Sequence, residues 1–160
     1  MDGTVAMNFD TPDFRAFLIR AKQATYASGG AGLPDSSRPQ SHDLAYAEAP
    51  YYYFDTYLGG FAFAGEEAVW CEGAPVWAMN YYGTMTVESI PDGFSDFLKH
   101  ALRQVPLDAP YRGPERVEQG AFRYDCRWEG DITMYRGEET ISLDGQVIYR
   151  LFFHGGGISA

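Results

Sequence analysis

The sequence matches itself at a fixed offset, and this internal repeat limits the chain to folds with two similar halves. A shift of 72 positions places residues 65–83 on residues 137–155 without a gap, so that Gly-Glu-Glu at 65–67 meets Gly-Glu-Glu at 137–139. Coincidence is the alternative, because any two β-hairpins share alternation and a turn glycine. The large apolar positions also coincide: Val69 with Ile141, Val76 with Ile148, Trp77 with Tyr149, Met79 with Leu151 and Tyr81 with Phe153.

Helical spacing follows the first proline of each half. Thr11 is a good N-cap and Pro12 suits the first helical position, and Pro91 opens the second helix. The pattern Phe-x-x-Phe-Leu-x-x-Ala then occurs at 14–21 and again at 94–101, which gives each helix one apolar face. Strand-like patterns predict six strands, at 51–57, 61–71, 75–82, 121–128, 132–143 and 147–153.

This order predicts an α+β fold built from a duplicated αβββ unit. We expect one domain over residues 1–160, with pseudo-repeats at about 11–83 and 91–156. The strands should form a bent antiparallel sheet or a half-open barrel, with two helices on one face.

Composition and charge exclude several classes of protein. The chain of 160 residues is 46% hydrophobic, with a formal charge of −10 and three histidines. The acidic charge argues against unaided binding to nucleic acid and against binding to an anionic membrane. The first fourteen residues lack a signal-peptide pattern, and the two cysteines lack metal-site spacing. We therefore expect a cytoplasmic monomer or homodimer with no metal and no cofactor.

Alternation along the strands predicts a core face and a working face, since successive side chains point to opposite sides. A three-residue hairpin loop that ends in a left-handed glycine would place Glu138 opposite Arg150 and leave Glu66 free. Glu66→Gln should then weaken ligand binding with little loss of stability. The alternative is an ordinary solvent face with one cross-strand ion pair. The residues of the predicted working face are Glu66, Trp70, Asn80, Tyr82, Glu138, Arg150 and His154.

The segment at 28–46 begins as a Gly-, Ser- and Pro-rich loop and carries a second set of polar candidates. Arg38 offers a planar fork for phosphate or carboxylate, and His42 can exchange a proton near neutral pH. Ser37 or Ser41 with His42 and Asp55 has the composition of a hydrolase site, without a nucleophile elbow. The alternative is that these groups cap turns and bond the backbone. The ligand-binding candidates here are Arg38, Ser41, Asp43, Tyr46 and Asp55.

Several short motifs resemble a bacterial domain family of unknown function. They include Ser-Arg-Pro at 37–39, Asp-Thr-Tyr-Leu-Gly-Gly at 55–60, Pro-Tyr-Arg-Gly-Pro at 110–114 and Phe-His-Gly-Gly at 153–156. The resemblance covers about residues 14–156 and implies a shared fold. Members of that family sometimes follow an XRE-type helix-turn-helix. The resemblance implies no established activity or catalytic residues.

Three functions fit these patterns. The first is a domain that binds a small polar, aromatic, sugar-like or nucleotide-like molecule in a cleft lined by aromatics and carboxylates. The second is an enzyme that uses Glu66 with His42 or His154 as acid and base. The third is an acidic protein-interaction module with exposed tyrosines. We expect the first, with a ligand held by Arg38, Asn80 and Glu66.

Overall fold

Two helices cover one face of an eight-stranded antiparallel sheet in the computed structural model, which describes residues 8–160. The start of the segment on which the signal-peptide expectation rests lies outside the described residues. Helix α1 spans Pro12–Ala24, a 3-10 turn spans Tyr26–Ser28, and helix α2 spans Phe94–Leu102. The strands are β1 (His42–Glu48), β2 (Tyr51–Gly59), β3 (Ala62–Cys71), β4 (Ala74–Met85), β5 (Arg116–Gln119), β6 (Phe122–Asp131), β7 (Met134–Leu143) and β8 (Gln146–Gly157).

The sheet is open, and the four strands of each half lie side by side on either side of its centre. The strand order is β1-β2-β3-β4-β8-β7-β6-β5, so β1 and β5 form the two edges. Strands β4 and β8 join the halves, and Tyr81 lies opposite Phe153 at the middle of this pairing. These features confirm the predicted α+β class, with a single antiparallel sheet and two helices.

Each half contains four strands, and the prediction of three was wrong. Strand β1 was missed because its polar residues suggested a loop, although Leu44 and Asp43 are buried in it. Strand β5 has only four residues and one buried side chain, Val117. Short edge strands of this kind carry little alternation for a sequence pattern to detect.

The two helices begin differently. Thr11 caps α1 as predicted, because its side chain accepts a hydrogen bond from the Phe14 amide at 3.1 Å. The second helix begins at Phe94, three residues after the proline at which it was predicted to open. Pro91 instead forms a turn whose carbonyl accepts from the Phe94 amide, and Gly93 has a positive φ of 83°.

Both central hairpins turn through two residues, so the predicted three-residue loop was wrong. Glu72 and Gly73 have φ values of 50° and 84°, and Asp144 and Gly145 have values of 50° and 82°. Two positive φ values in succession are typical of a type I′ turn. A register shift after Trp70 then restores Val69 opposite Trp77, and the second hairpin shifts at the corresponding place.

The core lies between the helices and the inner face of the sheet. The large apolar residues that alternate with the predicted working face along β4 and β8 belong to the predicted core face, and all six are buried: Trp77, Met79, Tyr81, Tyr149, Leu151 and Phe153. They join Phe14 and Phe17 of α1 and Phe97 and Leu98 of α2 in one cluster. Among residues 8–160, neither helix is long and apolar enough to cross a membrane.

Candidate functional site

A cavity of about 320 Å³ lies between the helices and the inner face of the sheet. Its volume is at the lower end of the range for small-molecule sites, roughly 300–1,000 Å³. Helix residues such as Leu98 form its roof, and residues of β2, β3 and β4 form its floor. The charged side chains that line it are Lys22, Asp55, Glu67 and Arg112, and the aromatic ones are Tyr26, Tyr53, Tyr57, Phe63, Tyr81, Phe94, Tyr111 and Tyr149.

A buried ion pair joins α1 to the floor of the cavity. The Lys22 ammonium donates to both carboxylate oxygens of Glu67, at 2.9 and 3.0 Å, and to the Tyr111 carbonyl at 2.8 Å. The Tyr53 hydroxyl also donates to Glu67. Burial lowers the pKa of Lys22 against the opposing effect of Glu67. Because all three donors of Lys22 are engaged, the pair is suited to holding the helix on the sheet.

A second buried ion pair lies in the other half. Arg112 donates to both oxygens of Glu139, at 2.6 and 3.1 Å, in the two-pronged geometry that guanidinium favours. The hydroxyls of Tyr124 and Tyr149 donate to Glu139 at 2.6 and 2.7 Å. Burial acts to lower the pKa of Arg112, but Glu139 outweighs it and the pKa lies well above its ordinary value. Arg112 therefore stays charged beside the cavity.

Asp55 is a cavity carboxyl that, within the described residues, accepts its side-chain hydrogen bond from a tyrosine and none from a cation. It is 5% exposed and lies opposite Glu67 in the pairing of β2 with β3. The Tyr81 hydroxyl donates to its Oδ1 at 2.6 Å. Burial and the neighbouring Glu67 raise the pKa of Asp55 to about 7, although Tyr81, Lys22 and Arg112 oppose the rise. A carboxyl with this pKa can take up or release a proton near neutral pH.

Aromatic rings form the rim of the cavity. Tyr57 packs edge-on against Tyr26 and against Phe63, with ring centroids 6.4 and 6.5 Å apart. His42 lies against Tyr57 at 4.9 Å and is exposed. Gly60 also lines the cavity, and a Cβ built on it meets no atom within 4 Å. The rim therefore presents ring faces to anything that enters.

Of the sequence-predicted candidates, His42 and Asp55 line the cavity. Three other candidates from this segment, Arg38, Ser41 and Asp43, lie on the opposite side of the sheet in a hydrogen-bond network around Asp43. Its carboxylate accepts from the Ser37 amide at 2.5 Å, the Ser41 hydroxyl at 2.9 Å and the Thr56 hydroxyl at 2.7 Å. Burial acts to raise the pKa of Asp43, but these hydrogen bonds outweigh it and lower the pKa to about 2. Arg38 donates to Thr56 at 2.8 Å.

Tyr46 and Trp70 lie outside the cavity. Tyr46 packs against Phe17 of α1 and donates to Glu48 at 2.9 Å, so it helps to hold α1 on β1. Trp70 lies beside Tyr52 on β2, with ring centroids 5.7 Å apart.

The predicted working face is the outer face of the sheet. Glu66 lies opposite Asn80, and Asn80 lies opposite His154, so these three exposed residues form one row across β3, β4 and β8. Tyr82 and Phe152 form the next row and are about half exposed. The structure thus brings these residues together, on the side of the sheet away from the helices and the cavity.

The predicted pairing of Glu138 with Arg150 was wrong by two residues along β8. Glu138 lies opposite Phe152, and Arg150 lies opposite Thr140, because the hairpin bulge shifts the register. The Arg150 guanidinium still reaches Glu138 diagonally at 3.4 Å, and Arg127 pairs with Glu138 as well.

The central charged residues of the cavity, Lys22, Glu67 and Arg112, were not among the predicted site residues. Lys22 occurs four residues after Leu18 and eight after Phe14, which places a cation within the apolar stripe of α1. Glu67 shares the odd-numbered alternation of Val69, so it belongs to the core face. Both signals were present in the sequence. Arg112 lies in a Pro-rich connection, where no periodicity indicates the direction of a side chain.

Within residues 8–160, no three His, Cys, Asp or Glu side chains are grouped as metal ligands. No curated protein and no solved structure matches the chain. The sequence model of a domain of unknown function, DUF5680, matches residues 55–158. The matched segment contains Asp55, Glu67, Tyr81 and Arg112 and begins after α1. Since it covers well over half of the 160 residues, the chain belongs to the DUF5680 family.

Proposed function

We propose that this protein is a small-molecule binding domain whose ligand occupies the cavity beneath the two helices. The observation that carries the proposal is Asp55, a buried carboxyl in the wall of an aromatic-lined cavity, whose hydrogen-bond partner among residues 8–160 is a tyrosine hydroxyl. Mostly apolar cavities with a few convergent polar groups are the usual form of ligand sites. The proposed ligand is a small, partly aromatic molecule with at least one polar group.

The charged groups around the cavity support a role in ligand binding rather than a purely structural role. The two buried ion pairs, Lys22 with Glu67 and Arg112 with Glu139, fix polar groups in position before a ligand arrives. Preorganised groups lose little entropy on binding. The cavity also favours ligand binding over the interaction module, because an interaction module would be favoured by a large exposed apolar patch without a cleft.

Acid–base catalysis in the same cavity is a second candidate, and one observation favours it. Asp55 has a pKa of about 7 and receives a hydrogen bond from Tyr81. Such a carboxyl could exchange a proton with a bound substrate, with His42 at the rim. Glu66 and His154, the other predicted acid–base residues, lie on the outer face. Mass spectrometry of compounds after incubation with the protein separates the candidates, because an enzyme returns an altered compound.

A thermal-shift screen against a metabolite library tests the proposal, since a ligand that binds only the folded state raises the melting temperature. Gly60→Trp adds an indole at the cavity lining, where a Cβ has free space. Hits should lose their shift in this variant. Gly32→Trp is the matched control, because Gly32 is exposed and does not line the cavity. Hits that survive Gly60→Trp would contradict the proposed site.

We further propose that the two halves arose by duplication of one helix-plus-strands unit. The proposal is supported by the even strand order and by the shared turn and bulge of the two hairpins. Glu67 and Glu139 also occupy matching places, each buried and each bonded to a tyrosine of the preceding strand.

We also propose that the protein is bacterial and cytoplasmic, and that it acts as a monomer or homodimer without binding nucleic acid. We propose in addition that some relatives carry the domain behind an XRE-type helix-turn-helix.

A further inference from the structure

The buried charges around the cavity do not balance. Lys22 forms an ion pair with Glu67, and Arg112 forms one with Glu139. Arg112 lines the cavity, whereas Glu139 does not. Asp55 is the third carboxyl of the group, and no cation donates a hydrogen bond to it among residues 8–160. Three carboxyls therefore share two cations.

Asp55 is also incompletely hydrogen-bonded. Its Oδ1 accepts from Tyr81, whereas its Oδ2 has no hydrogen-bond partner in the described part of the chain. The residue is 5% exposed and lines the cavity. A buried ionised carboxylate needs a cation or several donors to offset its desolvation, and the wall of the cavity supplies one hydroxyl.

The environment of Asp55 would suit a positive charge. Glu67 lies directly opposite, so a cation placed near Asp55 would interact favourably with two carboxylates. The rings of Tyr57, Phe63 and Tyr81 line the same cavity. The faces of such rings attract organic cations.

We propose that the cavity ligand is an organic monocation whose positive group pairs with Asp55 while its apolar body lies among the aromatic rings. This inference rests on the proposed function and names the chemical class of its ligand. The bound cation would bring the buried charges to three of each sign. An anionic ligand would instead meet Asp55 and Glu67 together, and like charges in a buried site are costly.

A pH dependence follows from the groups that face Asp55. They are Glu67 from β3, Tyr81 from β4, Lys22 from α1, Arg112 from the segment after α2, Tyr26 from the 3-10 turn, and Tyr53 and Tyr57 from β2 itself. His42 lies at the rim of the same cavity. In the free protein this balance gives Asp55 a pKa of about 7. A cation favours the ionised carboxylate, so its affinity should rise as the pH increases toward about 7 and should level off above it.

Three para-substituted benzyl alcohols of similar size test the inference by titration calorimetry at about pH 8. They are 4-(trimethylammonio)benzyl alcohol, its neutral isostere 4-tert-butylbenzyl alcohol, and the anion 4-(hydroxymethyl)benzoate. The cation carries a permanent charge, so its own titration does not intervene. It should bind wild-type protein at least about tenfold more tightly than the isostere. In Asp55→Asn the two should bind within about threefold of each other.

The outcomes separate this inference from the proposed function. A neutral or anionic probe that binds as tightly as the cation, and loses binding in Gly60→Trp, would overturn the cation class and keep the cavity as a ligand site. A preference for the cation that persists in Asp55→Asn would also overturn the inference. Failure of the cation to bind at millimolar concentration overturns it too, and the library screen with Gly60→Trp then decides the proposed function independently.

Discussion

Asp55 and Glu67, two buried carboxyls, lie directly opposite each other in the pairing of β2 with β3. The second half differs at this place, because Cys126 lies opposite the corresponding carboxyl, Glu139. Burial raises the pKa of the Cys126 thiol to about 12, so this position stays uncharged. The excess carboxyl of the cavity is thus a feature of the first half alone, which is why the proposed ligand contact is on that side.

Asp55→Asn should stabilise the protein at neutral and alkaline pH. The pKa of Asp55 is about 7 in the folded protein and 3.8 as its ordinary value. Between these values the folded state binds more protons than the unfolded state, so the free energy of unfolding of the wild type falls as the pH rises. The advantage of Asp55→Asn should grow from about pH 4 to about pH 7, reach on the order of a few kcal/mol, and stay constant above. Urea titrations across this range measure it.

Asp43→Asn is the matched control, because it should change the free energy of unfolding in the opposite direction. The pKa of Asp43 is lowered to about 2, so its ionised form stabilises the folded state. This stabilisation is present above about pH 4 and is lost as the pH falls toward about 2. Asp43→Asn should therefore destabilise the protein at neutral pH, and equal pH profiles for the two variants would contradict both assignments.

Lys22→Met should destabilise the protein by about 3–5 kcal/mol, because it leaves Glu67 buried without its cation. Adding Glu67→Gln to Lys22→Met should recover part of the loss, since the double variant no longer buries an uncompensated charge. Chemical denaturation of the two variants and the wild type gives the difference.

Arg20→Met is the control on the same helix. Arg20 pairs with Glu48 at 2.8 Å, but both side chains are nearly half exposed. Exposed pairs contribute little to stability because water screens them, so this variant should remain close to wild type. If Lys22→Met cost no more than Arg20→Met, the buried pair would not be important for stability.

Alternation in the sequence was enough to identify the core face but not the cavity. Trp77, Tyr81 and Phe153 were assigned to the core face from their alternation and their large apolar side chains, and all three are buried. Glu67 and Asp55 belong to the same odd-numbered sets as Val69 and Tyr53. The cation that pairs with Glu67 is Lys22, which lies 45 residues away along the chain, so no local pattern connects the two.

The location of the free space also depends on tertiary structure. Local patterns show that a strand has two faces, but they do not show where a helix stands off from the sheet. The two-residue turn with its bulge is a further example. The Glu72-Gly73 pair is compatible with turns of two or three residues, and the choice between them sets which residue lies opposite Glu66.

Trp77→Ala should destabilise the protein by roughly 3–5 kcal/mol, since the indole is fully buried against Phe14 and Tyr135. Trp77→Phe should cost less, because the indole Nε1 has no hydrogen-bond partner within residues 8–160 and none is lost. Tyr82→Ala on the outer face, where Tyr82 is 51% exposed, should change stability by about 1 kcal/mol or less. Thermal and urea unfolding of the three variants check this order.

Glu66→Gln separates the two faces of the sheet as locations for the ligand. Glu66 and Glu67 are neighbours in sequence, yet Glu66 is exposed on the outer face and Glu67 is buried at the cavity. If the ligand occupies the cavity, Glu66→Gln should bind a cavity probe within about twofold of wild type and unfold within about 0.5 kcal/mol of it. If the row of Glu66, Asn80 and His154 holds the ligand, Glu66→Gln and Asn80→Ala should each weaken binding by about tenfold or more, and Gly60→Trp should leave it intact. Parallel calorimetric titrations of these variants decide between the two locations. A ligand in the cavity should be insensitive to the outer-face substitutions, and a ligand on the outer face should be insensitive to Gly60→Trp.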